Sequence, residues 1–430
     1  MALTGRLALL ALLGTVVVAL LGSGWAVVAV NTALLVGVLV DLALAGSVRS
    51  LRFARTGDTV VRLGEPAEVV LRITNPGGRR VHGVVRDAWP PSAGVPRRRV
   101  PVDIPPGERR ALTTVLVPIR RGDRIADRVT VRSYGPFGLA SRQGSHAVPW
   151  RVRALPPFTS RKHLPSKLAR LRDLDGRTAV LVRGQGTEFD SLREYVPGDD
   201  VRSIDWRATA RAGDVVVRTW RPERDRRVLL VLDTGRTSAG RVGDAPRLDA
   251  AMDAALLLAA LAARAGDRVD LIAYDRTLRA AVQGATATEL LPSLVQAMAP
   301  LEARLVEPDW EQLAAEILRR APRRSLVVLL TALDPAPVEH GLLPVLPRLT
   351  RKHRVVLASV ADPRVAEMAA ARGDAQAVYE AAAGTRAAMD RVRVAGALGR
   401  TGVTVVEGSP DELPPRLADT YLALKAAGLL

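Results

Sequence analysis

The N-terminal apolar run constrains this chain more than any other feature. No charged residue occurs between Leu7 and Val40. A helix that crosses the bilayer core needs about 20 apolar residues, so this run is long for one span and short for two. The sequence LLGSGW interrupts it near Gly22 to Gly24, and extending outward to residues 4 and 45 leaves room for two spans. We therefore predict two transmembrane helices within residues 1–50, joined by a tight turn.

Arginines flank the run on both sides and indicate its orientation. Arg6 precedes the first predicted span, and Arg49, Arg52 and Arg55 follow the second. Because positive loops stay in the cytoplasm, this pattern predicts that both ends, and the domains that follow, face the cytoplasm. A cleaved signal peptide is the alternative. It is disfavoured because a second apolar stretch follows at once and no clear small-x-small cleavage site precedes it.

Composition excludes several classes of function. The chain has 430 residues and no cysteine, which excludes disulfides, thiol catalysis and cysteine-ligated metal sites. Its net charge of +18 comes mostly from arginines spread along the chain, and aromatic residues make up only 3%. Nucleic-acid binding needs aromatic stacking platforms or a concentrated basic patch, so we predict no nucleic-acid partner.

The middle of the chain has the pattern of β-structure. Residues 55–155 contain short runs rich in Val, Ile and Thr, such as AEVVLRITN and ALTTVLVPI, separated by turn sequences such as NPGG and PPGE. This spacing predicts an antiparallel β-sandwich-like domain. Residues 156–180 are basic and weakly periodic, and we predict a linker there.

Strands alternate with helices in the C-terminal half. Apolar runs such as RRVLLVLD and RSLVVLLTALD are followed by amphipathic segments such as RLDAAMDAALLLAALAARAGD. This alternation predicts a doubly wound α/β domain over residues 181–430, in which ligands bind beyond the carboxyl ends of parallel strands. Asp233, Asp275 and Asp334 would lie on that rim if the sheet brings their strands together. The expected architecture is thus multi-domain.

The loop after the first of these strands, DTGRTS, resembles the adhesion-site loop of von Willebrand factor A-type domains. That pattern is Asp-x-Ser-x-Ser, and its oxygens hold a hard cation such as Mg²⁺. Here Asp233 and Thr237 match it, and Asp334 would complete the set, but Gly235 replaces the first hydroxyl residue. Arg236 would repel a cation unless it points away. A degenerate magnesium site is the hypothesis, and a carboxylate that only pairs with neighbouring groups is the alternative.

The densest polar chemistry lies between Gly186 and Asp214. Phe189, Leu192 and Tyr195 recur at about helical spacing before Pro197-Gly198. After that break, Asp199 or Asp200 can cap a helix. We expect the charges to form a structural or docking network, in which a partly buried Asp205 pairs with nearby arginines. The candidate site residues of this stretch are Glu188, Phe189, Arg193, Tyr195, Gly198, Asp199, Asp200, Arg202, Ile204, Asp205, Trp206, Arg207 and Arg211.

The run GTEFDSLREYVPGDDVRSIDWRATAR, followed by WRPERDRRVLLVLD, resembles the signature of the domain-of-unknown-function family 58. Here the signature covers residues 184–235, and RRGDR, GPFGL and YLALKAAG fit the family's layout elsewhere. The resemblance implies a bacterial membrane protein with a von Willebrand A-like fold. It also implies an accessory role beside a MoxR-type AAA+ ATPase. The family has no established catalytic residues to transfer to this sequence.

Two functions remain open. The leading hypothesis is a membrane-anchored, non-enzymatic interaction protein without a cofactor. The alternative is a metal-dependent hydrolase on the rim of the α/β sheet, with a cation at Asp233 and Asp334 and with Asp205 or Glu188 as the base. A general base must be tuned toward neutral pH within reach of the substrate, and no histidine lies among these carboxylates.

Overall fold

The computed structural model describes residues 1–96, 99–181, 188–197, 199–221 and 226–430. The side chains of residues 175–181, 188–191, 212 and 219–221 are not described. The chain divides into two compact units, Met1–Leu155 and Pro156–Leu430.

Two apolar helices open the first unit. Helix α1 spans Gly5–Leu21 and ends at Gly22, whose positive φ of 58° suits glycine. Helix α2 spans Gly24–Leu44 and is the helix that is long and apolar enough to cross a membrane by length and composition. Helix α1 has 17 residues, fewer than the roughly 20 that a span needs. Among the described residues, one helix is therefore long and apolar enough to span a membrane, and the second span stays a prediction.

The rest of the first unit is β-structure. A five-stranded antiparallel sheet has the order β1-β10-β9-β5-β6, and two three-stranded sheets have the orders β2-β4-β7 and β3-β11-β8. The strands are β1 (Ala2–Leu3), β2 (Arg52–Gly57), β3 (Val60–Arg62), β4 (Ala67–Thr74), β5 (Val81–Asp87), β6 (Arg99–Ile104), β7 (Arg109–Leu116), β8 (Gly122–Ala126), β9 (Val129–Tyr134), β10 (Ala140–His146) and β11 (Trp150–Leu155). Strand β4 alternates buried and outward residues, as a strand with one face on a core must. The first unit thus contains several sheets in the region where β-structure was expected.

Residues 156–180, expected to form a linker, belong to the second unit. They form a 3₁₀ turn, Thr159–His163, and helix α3, Leu164–Leu181. The buried carboxylate of Asp253 accepts hydrogen bonds from the Thr159 hydroxyl at 2.7 Å and from the Ser160 hydroxyl at 2.9 Å. Burial raises the pKa of Asp253 despite these donors. The basic composition suggested a linker, but Asp253 and the buried Leu171 fix the segment.

The centre of the second unit is a six-stranded sheet of order β18-β17-β14-β19-β20-β21, parallel except for β18. Its strands are β14 (Arg227–Asp233), β17 (Arg268–Tyr274), β18 (Leu278–Val282), β19 (Leu326–Leu330), β20 (Arg354–Val360) and β21 (Thr404–Gly408). Two smaller antiparallel pairs are β12 (Glu188–Glu194) with β13 (Val216–Arg221), and β15 (Arg241–Val242) with β16 (Ala245–Pro246).

Helices surround this sheet. They are α5 (Arg247–Arg264), α6 (Leu290–Met298), α7 (Trp310–Arg320), α8 (Leu343–Thr350), α9 (Pro363–Ala370), α10 (Ala375–Arg400) and α11 (Leu413–Ala426). Helix α4 (Trp206–Ala212) instead contacts β13 of the smaller pair. Leu229 and Val231 of β14 share a buried cluster with Trp310 and Ile317 of α7. Alternate residues of a strand point to opposite faces, so Leu230 faces the other layer, where the buried helix α5 packs against β14. The predicted strand and helix alternation is confirmed.

Candidate functional site

The charged stretch of the second unit forms a β-hairpin with a helical excursion. Strands β12 and β13 pair antiparallel from Glu188↔Arg221 to Glu194↔Val216. Between them the chain makes a 3₁₀ turn, Val201–Ser203, and then helix α4. The helical spacing of Phe189, Leu192 and Tyr195 was thus misleading, because pairing with 216–221 holds residues 188–194 as a strand.

Asp205 organises the excursion. Its Oδ1 accepts hydrogen bonds from the amides of Arg207 and Ala208, each at 3.0 Å, and so caps α4. Its Oδ2 accepts from the Arg218 guanidinium on β13 at 2.8 Å. The Ala208 amide, followed by Arg218, holds the pKa of Asp205 below its ordinary value. This carboxylate is ionised at neutral pH, and both of its oxygens are engaged.

Two further carboxylates fix the turn before the helix. Asp199 accepts from Arg193 Nη2 at 2.6 Å and from the Val196 amide at 3.0 Å, and it raises the pKa of Arg193. Asp200 caps the 3₁₀ turn by accepting from the Arg202 amide at 2.9 Å. Asp199 or Asp200 was expected to cap a helix, but Asp200 caps only this turn, and helix α4, which begins at Trp206, is capped by Asp205.

The apolar side chains of this hairpin differ in burial. Val216 and Val217 are buried, and Tyr195 and Ile204 are half-buried. Trp206, which the sequence places among the apolar anchors of the stretch, is 68% exposed. The predicted residues Glu188 and Phe189 lie in the part of β12, residues 188–191, whose side chains are not described, and Gly198 lies outside the described residues.

The exposed side chains of this segment combine apolar groups with arginines. We call them together the Trp206 surface: Leu192, Val196, Val201, Trp206, Arg202, Arg207 and Arg211. Within the described part of the chain, no ion pair neutralises its three arginines. Tryptophan and arginine are the residue types that most often dominate binding energy at protein interfaces.

A second cluster lies at the carboxyl end of β14, as predicted for the rim. Strand β14 lies between β17 and β19, so the ends that carry Asp233, Asp275 and Asp334 are neighbours. Asp233 is buried, and its Oδ2 accepts from the hydroxyls of Thr331 at 2.6 Å and Thr237 at 3.0 Å. Its Oδ1 accepts from the Gly235 amide at 2.7 Å. Burial raises the pKa of Asp233 in spite of these three donors.

The other rim carboxylates pair with arginines. Burial favours a higher pKa for Asp275, but hydrogen bonds from Arg279 and from the neighbouring backbone amides lower it overall. Asp334 lies 3.5 Å from Arg247 Nη1 at the start of α5. Sequence reasoning missed Arg247, although a cation in the first turn of a helix is unfavourable and signals a carboxylate partner.

The rim fits a magnesium ion poorly. A Cβ at Gly235 would lie 2.7 Å from Pro308 Cγ, so the missing hydroxyl residue has no space at this position. The hydroxyls of Thr237 and Thr331 donate to Asp233, and Arg247 already balances the charge of Asp334. Among the described residues, no group of three or more His, Cys, Asp or Glu is placed to hold a metal ion. Arg236 does point away, toward Glu307.

Comparison with known proteins supports the resemblance of this sequence to the domain-of-unknown-function family 58. The model of the family DUF58, described as a protein of unknown function, matches residues 191–395. The uncharacterized protein Rv1480 of Mycobacterium tuberculosis is 27% identical over 197 residues, which cover 45% of this chain and 61% of the relative. The uncharacterized protein Mb1516 of Mycobacterium bovis matches with the same identity and the same coverage. The chain thus spans less than two thirds of these relatives.

Two of the solved structures that match this chain do so with low TM-scores. The CARDB domain of the PF1109 protein from Pyrococcus furiosus is 21% identical, with a TM-score of 0.19. The match covers 24% of this chain and 91% of the CARDB chain. Alpha-2-macroglobulin from Escherichia coli is 12% identical, with a TM-score of 0.21. The match covers 88% of this chain and 27% of the macroglobulin chain. At these TM-scores neither structure carries an argument about function.

Proposed function

We propose that this protein is a membrane-anchored, non-enzymatic accessory protein. Its C-terminal unit, of von Willebrand A-like type, docks a protein partner through the Trp206 surface. By the resemblance of the signature, that partner is a MoxR-type AAA+ ATPase, and the complex assembles or remodels a membrane or envelope structure. The protein would lie in the bacterial plasma membrane with its folded units in the cytoplasm.

One observation carries this proposal: a large aromatic side chain stands in solvent on a backbone that three carboxylates hold in place. Asp199, Asp200 and Asp205 each bind backbone amides around the excursion, so the segment that presents Trp206 is ordered before any partner arrives. Preorganisation lowers the entropy cost of association, and an exposed tryptophan supplies apolar area with few rotatable bonds.

The charge of the surface defines the chemistry of the partner. Arg202, Arg207 and Arg211 are exposed within nine residues of chain around the tryptophan's position, and among the described residues they form no ion pairs. Arg207 and Arg211 are four residues apart on α4 and so share a face of that helix. The complementary site is an apolar pocket with an acidic rim, in which the arginines steer the approach and the tryptophan supplies the affinity.

The carboxylates of both clusters support a non-enzymatic role. A general base needs a free oxygen and a pKa near neutrality. The pKa of Asp205 is lowered and both of its oxygens accept hydrogen bonds. Asp233 has a raised pKa, but its two oxygens are occupied by Gly235, Thr237 and Thr331 in a buried position.

Site-specific photo-crosslinking tests the docking role. A photoreactive phenylalanine analogue replaces Trp206 in the detergent-solubilised full chain, which is mixed with a purified MoxR-type ATPase. The matched control carries the analogue at Tyr379, an aromatic residue of α10 that is 76% exposed. We expect crosslinks to the ATPase from position 206 and not from position 379. Equal crosslinking from both positions, or none from position 206, would count against the proposal.

A further inference from the structure

The end of α2 is fastened to the β-domain by a buried carboxylate. Asp41 has no exposed surface, and its oxygens accept hydrogen bonds from the amides of Phe137 at 2.8 Å, Leu139 at 2.5 Å and Ala140 at 3.0 Å. Phe137 and Leu139 belong to the sequence GPFGL, residues 135–139, which we call the GPFGL turn, and Ala140 follows it directly. A carboxylate that accepts three backbone donors holds the turn in one position against the helix.

Other contacts reinforce the same junction. The Arg142 guanidinium donates to the Leu42 carbonyl at 2.8 Å, and the Thr4 hydroxyl donates to the Gly138 carbonyl at 2.6 Å. Leu139 packs so closely on α2 that a Cβ at Gly37 would lie 2.9 Å from Leu139 Cδ1. The turn therefore lies beside the last turns of the helix.

Phe137 points outward from this junction. Its side chain is 57% exposed although its own amide is bound to Asp41. It lines one open apolar groove together with Val36, Gly37 and Val40 of α2. Since Gly37 precedes Asp41 by about one helical turn, Phe137 reaches back along the apolar helix instead of pointing away from it.

One cationic side chain lies beside the turn, and two more follow α2 in the sequence. A Cβ at Gly138 would lie 2.9 Å from Arg6 Nη1, so the guanidinium covers the backbone of the turn. Arg49 and Arg52 are exposed shortly after the helix ends. Exposed aromatic residues next to arginines at the end of an apolar helix are typical of the membrane interface. Lipid with anionic headgroups complements this combination of groups.

We propose that the GPFGL turn enters the membrane interface, with the Phe137 ring among the lipid acyl chains and the arginines at the headgroups. The β-domain would then be seated directly on the bilayer and not held away from it by a free tether. Asp41 is the positioning residue, because it fixes the turn at the depth that brings Phe137 into lipid. This inference rests on the proposed membrane anchor.

Spin labelling tests the depth of the turn in the full chain. The natural sequence has no cysteine, so Phe137→Cys gives a single labelling site for a nitroxide. The protein is reconstituted in vesicles of phosphatidylcholine and phosphatidylglycerol, and electron paramagnetic resonance measures collisions with oxygen, which enriches in lipid, and with a water-soluble nickel chelate. Leu39→Cys on α2 serves as the membrane reference. Ile119→Cys is the matched control, an exposed apolar residue whose amide binds the Ser92 carbonyl elsewhere in the β-domain.

We expect the label at 137 to resemble the label at 39, with high oxygen and low nickel accessibility, and the label at 119 to show the reverse. A label at 137 that is open to nickel while 39 is lipid-exposed overturns the inference and leaves the anchor intact. Low accessibility to both reagents at 137 also overturns it, because protein would then cover the ring. Nickel accessibility at position 39 as well would overturn the proposed anchor.

Asp41→Asn in the Phe137→Cys background tests the positioning role. The amide side chain cannot accept the three backbone donors that the carboxylate accepts, so the turn should move away from α2. We expect nickel accessibility at 137 to rise at least about threefold while the label at 39, in the same Asp41→Asn background, stays lipid-exposed. Unchanged depth at 137 would show that Asp41 does not set the position of the turn.

Discussion

His353 makes the stability of the second unit depend on pH. The side chain is 4% exposed at the start of β20, and within the described part of the chain neither ring nitrogen has a hydrogen-bond partner. Burial, together with the charge of Lys352, lowers the pKa of this imidazole from 6.5 to about 4. The folded protein therefore keeps His353 neutral at pH values where the unfolded chain protonates it.

The direction and size of the effect follow from linkage. Above pH 6.5 neither state binds the proton, so His353 has no effect on the pH dependence. Between pH 6.5 and 4 the unfolded state binds more protons, and the free energy of unfolding falls as pH falls. From the two pKa values this loss is about 2 kcal/mol between pH 7 and pH 5, and about 3 kcal/mol once pH drops below 4.

The assay compares the wild type with His353→Leu, which removes the titrating group and keeps an apolar side chain of similar size. Hydrogen exchange of the β20 peptide, residues 354–360, is measured across a urea titration of the full chain in mild detergent, at pH 7 and pH 5. Between pH 7 and pH 5, we expect the free energy of unfolding to fall by about 2 kcal/mol more in the wild type than in the variant. The contributions of the other titrating groups are the same in both proteins and cancel in the comparison. Equal losses in both proteins would refute the reasoning, because His353 would then ionise normally in the folded state.

Two further substitutions test particular contacts. Gly235→Ser supplies the hydroxyl that the loop lacks, but the new Cβ would meet Pro308. We therefore expect a lower midpoint of urea unfolding and no Mg²⁺ binding by calorimetry. A stable variant that binds Mg²⁺ would contradict this expectation. Tyr421→Phe removes the hydroxyl that donates to the buried carboxylate of Asp267 at 2.5 Å, and should cost about 1–3 kcal/mol of stability in the same hydrogen-exchange assay. An unchanged stability would show that the hydrogen bond contributes little.

Much of the α/β unit could be predicted because burial on both faces leaves a clear pattern. Continuous Val and Leu runs predicted β14 and β19, and the structure has them at Arg227–Asp233 and Leu326–Leu330. The edge strand β18 was not predicted. Its residues are at most partly buried and include arginine, so they show neither a continuous apolar run nor a strict alternation.

The candidate site was less predictable because pairing partners distant in sequence decide it. Residues 188–194 have apolar residues at helical spacing, yet strand 216–221 pairs with them. Trp206 has the character of a core residue, and only the three-dimensional structure shows that it faces solvent. Asp41 was overlooked, although a lone carboxylate at the edge of an apolar run requires partners and is a signal by itself.

Affinity for the ATPase tests the central claim most directly. The full chain in lipid nanodiscs is immobilised, and the dissociation constant of a purified MoxR-type ATPase is measured for wild type, Trp206→Ala and Tyr379→Ala. If the Trp206 surface is the docking site, truncating Trp206 should weaken binding by at least about tenfold and truncating Tyr379 should leave it unchanged. Equal affinity of Trp206→Ala and wild type, with the variant folded as judged by hydrogen exchange, would contradict the account.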